Sequence, residues 1–307
     1  MESRMDVRKV PVSHGLAWFR AAIDLGARNP KAVFGAALLF IAVLYLVAGV
    51  LGLVARSLTA GGEQVPSGTL FMTVFVPLFV LMMVLMPILI GGLMHVIREA
   101  ESGRPVRARD LFAPFRTGHA KGLALLGLLQ IVFAILGGVL MVAIAGQDYW
   151  EQYLAAMRGA MGGAMPVIPD PQNPFLLFLV QVAFNYFTYA IMLLSVPLVL
   201  FSGASLLDAV RASLRAAVRN VGANLFAAFL FVVGVVLAGI AIMLVALLLN
   251  FLGGLLHPAV GGALSMVVLL GFASVLLVVL AGGAYLAWRD TFEPPRPPTP
   301  GFAGIEA

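Results

Sequence analysis

Leu225–Leu252 reads LFAAFLFVVGVVLAGIAIMLVALLLNFL, and no residue in it carries a charge. An apolar stretch of about 20 residues or more is long enough to cross the hydrocarbon core of a bilayer as a helix. Five further stretches have the same character: Ala32–Ala55, Leu70–Ile97, Gly122–Ala145, Phe175–Phe201 and Ala259–Trp288. The expected fold is therefore all-α, a polytopic bundle of six transmembrane helices over 32–55, 70–97, 122–145, 175–201, 225–252 and 259–288. Residues 1–292 form one integral membrane domain in this reading, and 293–307 a Pro-rich disordered tail.

Composition agrees. The chain has 307 residues, 62% hydrophobic and 11% charged, with a mean hydropathy of +1.04, well outside the range of soluble domains. Seventeen of the nineteen Lys and Arg residues fall before the first stretch, between the second and third, between the fourth and fifth, or after the sixth. Arg56 and Arg158 alone occupy the alternate loops. Positive charge collects on the cytoplasmic side of inserted helices, so both termini are expected inside. The polar stretch Met1–Lys31 has no signal-peptide form, which makes the first span an uncleaved anchor.

The pI near 9.9 does not make this a nucleic-acid binder. Its basic residues punctuate the span ends rather than line a groove, where topology and anionic headgroups account for them. No cysteine occurs, which removes disulfides, thiol nucleophiles and thiolate metal sites.

The segments preceding spans one and five are alike. Aligning Ala17–Phe40 with Asp208–Phe231 pairs Arg20 with Arg211, Arg28 with Arg219, Asn29 with Asn220, Ala36 with Ala227 and Phe40 with Phe231. A looser copy, Asp110–Lys121, precedes span three. These matches predict three units, each an interfacial segment followed by a helical hairpin, a kind of repeat common in membrane folds. In Gly203–Asn220, Asp208, Arg211, Arg215 and Arg219 share one helical face opposite Leu207, Val210, Leu214, Ala217 and Val218, and Ser205 and Asp208 stand at capping-box spacing. That predicts an amphipathic helix lying in the interface plane. Ser13–Asn29 reads similarly, with Arg20, Asp24 and Arg28 opposed to Trp18, Phe19, Ala22 and Ile23. Arg20, Arg28, Arg211, Arg215 and Arg219 are the candidate lipid-headgroup contacts. Membrane lipids and unidentified membrane proteins are the expected partners.

The second span, 28 residues if Leu70–Ile97 is helical throughout, would extend about 42 Å; Pro77 and Pro87 predict a kink and tilt absorbs the rest. Small residues four apart (Ala48 and Gly52, Ala134 and Gly138, Gly234 and Ala238) predict close helix approach in the odd-numbered spans.

All fourteen carboxylates lie in loops, interfacial segments or termini, which argues against a proton-driven pump. Gln181, Asn185 and Thr188 share one face of span four and are the candidate lining of a polar cavity, although interhelical hydrogen bonding is the favoured explanation of such a stripe. Met157, Met161 and Met165 are spaced four apart and soft enough for Cu(I), but Gly159, Gly162 and Gly163 weaken the helix that would align them. His14, His95 and His119 sit near one boundary without a ligand motif. Hydrolase, nucleotide-binding and zinc-protease signatures are absent, so no catalytic residue, cofactor or metal is assigned.

Gly15-Leu-Ala-Trp18, Arg28-Asn29-Pro30, Gly103-Arg104-Pro105 with Asp110-Leu111-Phe112, Asp208–Ser213, Arg219-Asn220 and Tyr285–Phe292 together resemble a family of bacterial six-helix inner-membrane proteins of undetermined activity. Its distant relatives include the membrane domain attached to some glycerophosphodiester phosphodiesterases. The resemblance implies the architecture and a bacterial inner-membrane location. It brings no catalytic residue, and the soluble phosphodiesterase domain is not in this sequence. The expected function is a non-enzymatic scaffold or envelope-assembly component; the alternative is a carrier for a neutral or amphiphilic molecule such as a lipid.

Overall fold

The computed structural model describes residues 6–59, 71–161, 165 and 169–293. Among them are six helices long and apolar enough to cross a membrane, and no strand. The spans run Pro30–Thr59, Val76–Glu101, Ala120–Ala145, Pro174–Ser202, Val221–Gly254 and Pro258–Phe292. Over the described residues all six apolar stretches are thus helical, and several helices continue past them into polar sequence, as at Arg98–Glu101 and Arg289–Phe292. Span two opens with a wide π turn at Phe71–Phe75, and Pro77 follows in the first turn of its regular part. Pro87 alone lies inside the α-helix. The tail beyond Glu293 and most of the first outer loop lie outside the described residues.

Three short segments precede the odd-numbered spans. The first is the helix His14–Asp24 with a 3-10 turn at Leu25–Ala27. The second is a 3-10 turn, Ala108–Phe112, leading into Ala113–Arg116. The third is the helix Leu206–Arg219. The end of the bundle that carries them is called the collar end below.

Their docking follows one rule. The first segment packs on spans five and six, the second on spans one and two, and the third chiefly on span four. Each therefore lies against the hairpin before its own, taken cyclically. Gly15 faces the backbone of Ala223 and Ala227 in span five, and Ala108 faces Gly35 in span one. Gly35 stands between Ala32 and Ala36, which the sequence alignment matches to Ala223 and Ala227. All four of these alanines are buried.

The inner helices are spans two, four and six, which contact one another. This corrects the expectation from small-residue spacing. A Cβ on Gly52 or Gly138 would meet nothing, and Gly234 faces the ring of Phe19 rather than a neighbouring backbone. The close approaches are at Gly92, against the Leu111 carbonyl, and at Gly127, against the Met83–Val84 backbone. Small residues four apart mark where helices can approach; only the facing helix decides whether they do.

The hydrophobic core is gathered at the collar end. It joins Trp18 and Ala22 with Val33, Ala36 and Phe40, then Leu89, Leu93 and Ile97, Leu123 and Leu126, Leu198, Ala212, and Tyr285 to Trp288. Toward the far end Tyr45, Leu53, Met72, Ile135, Phe175, Leu237 and Val267 are all exposed. Lipid tails solvate such side chains as well as another helix would, so apolar surface alone does not draw helices together in a membrane. Backbone approach and hydrogen bonds do, and these are concentrated at the collar end. At the far end span five packs against span six, with Gly253 on the Gly261 backbone.

The loop between spans three and four begins with a further helix. Gln147–Met161 is a helix, with Tyr149 and Trp150 each stacked on Tyr153. Gly159 lies within this helix, Met157 on it is 44% exposed and Met165 beyond it 93% exposed, while Gly162 and Gly163 lie outside the described residues.

Candidate functional site

The richest polar arrangement lies at the collar end, where the last turns of spans two and six meet. Glu101 accepts a hydrogen bond from Arg289 Nη1 at 2.6 Å and another from the Tyr285 hydroxyl at 2.7 Å. Its side chain is 9% accessible. Asp290 accepts from Trp18 Nε1 at 2.9 Å, lies 3.3 Å from His14 Nδ1 and takes Arg289 Nε at 3.3 Å. Arg98 stacks its guanidinium over Phe201, 4.4 Å from the ring centre, and reaches Glu293 at 3.3 Å. The first collar helix, span two and span six are joined by this network. Each of these carboxylates is engaged by donors from another part of this end.

The N-terminal segment is tied into the same end. Asn220 accepts from Val10 N at 2.8 Å and donates to the Arg8 carbonyl at 2.9 Å, while Arg8 N donates to Thr291 O at 3.0 Å. Its sequence counterpart Asn29 instead accepts from Ala32 N at the start of span one. Sequence spacing picked out Asn220 as a repeat match; its long-range partner was invisible until the N-terminus was placed.

The five candidate arginines separate into different environments. Arg28 is held, Nη1 donating to the Glu101 carbonyl at 2.8 Å. Arg20 is exposed on the first collar helix. Arg211, Arg215 and Arg219 are exposed together on one ridge of the third, and no hydrogen bond or ion pair among the described residues engages them.

That third helix packs against span four. The chain turns at Gly203, whose φ of 62° suits glycine, and the helix doubles back beside span four. Ser213 and Ser195 hydroxyls lie 3.0 Å apart in the buried contact, and the Tyr186 hydroxyl donates to the Ala217 carbonyl at 2.7 Å. Tyr186 precedes Ser202 by sixteen residues, about 24 Å of helix. The face turned to the protein is Ala209, Ala212, Ser213, Ala216 and Ala217, whereas Leu207, Leu214 and Val218 are exposed. A hydrophobic wheel assigns bulky residues to the buried side; here small side chains hold it, because close contact with span four needs them. At its start, Ser205 Oγ accepts from Asp208 N at 3.3 Å as capping requires, and its hydroxyl donates to the Asp208 carboxylate at 2.5 Å.

Gln181, Asn185 and Thr188 do not share one environment. Gln181 lines a shallow crevice between spans three and four with no room for a water-sized molecule, otherwise walled by apolar residues including Leu140, Met141, Leu177 and Phe184. Neither Asn185 nor Thr188 lines it; Asn185 is exposed and Thr188 half-buried. The histidines are also apart: His14 faces Asp290, and His119 faces Thr117 at 2.9 Å. Among the described residues no three His, Asp or Glu side chains converge on a metal position.

In the middle collar segment Asp110 accepts from Arg107 N at 2.9 Å and from Arg116 Nη2 at 2.6 Å. The backbone donor first, then the guanidinium, hold its carboxyl below the usual aspartate range. A lowered folded-state pKa contributes stability above the unfolded value and loses it as pH falls through the folded one. Asp110→Ala is expected to cost about 1 kcal/mol at pH 7, a typical cap loss. The deficit relative to the unaltered protein should shrink below about pH 4. Thermal unfolding in detergent at pH 7 and pH 3 reads both; a deficit independent of pH would refute the assignment.

Comparison with known proteins gives no match to a protein family, a curated protein or a solved structure.

Proposed function

We propose that this is a non-enzymatic component of a bacterial inner membrane, with both termini cytoplasmic, whose collar end is a platform for partner proteins. The observation that supports this reading is the cyclic docking of the three collar segments, each on the preceding hairpin. It makes one continuous, cross-braced face from parts of the chain far apart in sequence. The first segment's contact at Gly15 and the second's at Ala108, each on the hairpin before its own, support a repeated hairpin unit. The resemblance to six-helix inner-membrane proteins belongs to the same reading.

The absence of cysteine makes the test direct. Single cysteines at Phe115, 52% exposed at the collar end, and Leu256, 82% exposed at the far end, should differ in labelling. In intact spheroplasts an impermeant maleimide is expected to modify Leu256→Cys and to reach Phe115→Cys only after permeabilisation. A photo-crosslinker at Phe115 should then capture a reproducible protein neighbour that one at Leu256 does not. Reversed labelling would overturn the orientation; no reproducible neighbour from the collar would overturn the platform.

A second reading, a carrier of an amphiphile, draws on the exposed far-end halves of the spans and on the Gln181 crevice. It requires a lipid-like molecule to copurify and to be lost in Gln181→Leu.

A further inference from the structure

We propose that the third collar helix, Leu206–Arg219, is a binding surface for the headgroups of anionic phospholipids. The inference concerns this helix alone and does not depend on the platform reading.

Three faces of the helix carry the argument. One is fixed: Ala209, Ala212, Ser213, Ala216 and Ala217 are buried, with the Ser213–Ser195 and Ala217–Tyr186 hydrogen bonds clamping it to span four. The helix therefore costs little further ordering when it meets a ligand. A second face presents Leu207, Leu214 and Val218, which are 56%, 43% and 61% exposed. The third is the ridge of Arg211, Arg215 and Arg219, about 12 Å long between its outer Cα atoms. Asp208, the one carboxylate of this helix, shares the ridge's face but accepts from the Ser205 hydroxyl, and among the described residues it pairs with none of the three arginines, so the ridge stays net positive.

An apolar strip beside a cationic ridge, on a helix running along a membrane span, matches the two-layer chemistry of a lipid. Acyl chains cover the leucines while phosphates meet the guanidinium groups, which bind phosphate through paired N–H donors. An acidic protein surface would satisfy the arginines but leave Leu207, Leu214 and Val218 without a matching partner. The structure also narrows the five candidates from the sequence to three. Arg28 is engaged by Glu101, and Arg20 stands singly on another helix.

The test uses the full chain purified in detergent and given equimolar phosphatidylglycerol and phosphatidylcholine, with bound lipid counted by native mass spectrometry. The unaltered protein is expected to retain phosphatidylglycerol selectively. The variant Arg211→Gln, Arg215→Gln, Arg219→Gln should lose that selectivity about tenfold or more, because each surface cation near a membrane contributes on the order of 1 kcal/mol. A control of equal charge change, Lys31→Gln, Arg109→Gln, Lys121→Gln, should lose less than threefold. Equal losses in the two variants would reduce the effect to diffuse charge and overturn the proposal. So would undiminished selectivity in the first variant, or displacement of the lipid by millimolar inorganic phosphate. Should the first variant fail to fold, Leu207→Gln with Leu214→Gln provides a second reading: selectivity unchanged there refutes the two-layer surface. Photo-crosslinking from position 215 that yields protein rather than lipid would likewise refute it.

Discussion

Gly92→Ala is expected to unseat the middle collar segment from span two. A Cβ at this position would occupy the space of the Leu111 carbonyl oxygen, and Leu111 itself is fully buried. The obstacle is backbone, so no rotamer change can relieve it; the 3-10 turn Ala108–Phe112 must move as a unit. Overpacking of this kind costs about 1–3 kcal/mol and sometimes more, while alanine returns at most about 1 kcal/mol of helix propensity. A net loss of about 2 kcal/mol should follow, with weakened contacts from that turn to both spans of the first hairpin. Gly49→Ala is the matched comparison, since a Cβ there meets nothing, and should be neutral or slightly stabilising. Unfolding of both variants in mixed detergent micelles decides the matter. Equal stability would show that the collar does not rest on span two as described.

Glu101→Ala should be costly for an electrostatic reason. Its carboxylate receives Arg289 and Tyr285, and removal leaves a guanidinium 24% accessible with only Asp290 at 3.3 Å to compensate. Breaking a buried pair from one side typically costs about 3–5 kcal/mol. Partial exposure and the remaining Asp290 place this case near about 3 kcal/mol at most. Tyr285→Phe, which removes one hydrogen bond, should cost about 1 kcal/mol. Because Glu101 and Arg289 act as a pair, Glu101→Ala with Arg289→Ala should cost less than the sum of the single changes. Additive losses would mean that the two side chains do not depend on one another.

Both predictions concern residues to which sequence reasoning gave no special role. Gly92 was one of several glycines in an apolar stretch, and its importance comes from a turn nineteen residues later in the chain. Glu101 sat among Arg98, Glu99 and Arg104, readable as ordinary charge at a span end. The Tyr285–Phe292 motif was noticed as a likeness, and the structure shows Tyr285, Arg289 and Asp290 facing Glu101, Trp18 and His14. The spans were legible because length and apolar character are local properties, and a backbone in hydrocarbon has no alternative to the helix. The third collar helix was legible as an element for the same reason, with its arginines on one ridge and Ser205 at the cap. Its protein-facing side was not legible, because wheel geometry ranks side chains by hydrophobicity, whereas close packing against span four places alanine and serine there.

The sequence by itself determined six membrane-spanning helices, the three segments before the odd-numbered spans and the concentration of basic residues at their ends. These follow from hydrogen-bond satisfaction and charge transfer costs along the chain, each of which acts residue by residue. Tertiary structure alone decided that spans two, four and six are innermost, that the core gathers at the collar end, and that the third collar helix turns back along span four. In a bilayer, apolar side chains are equally well solvated by lipid and by neighbouring helices, so hydropathy cannot rank the possible contacts. The choice falls to backbone approach at residues such as Gly92 and Gly127, and to pairs such as Glu101 with Arg289, whose partners lie in other helices.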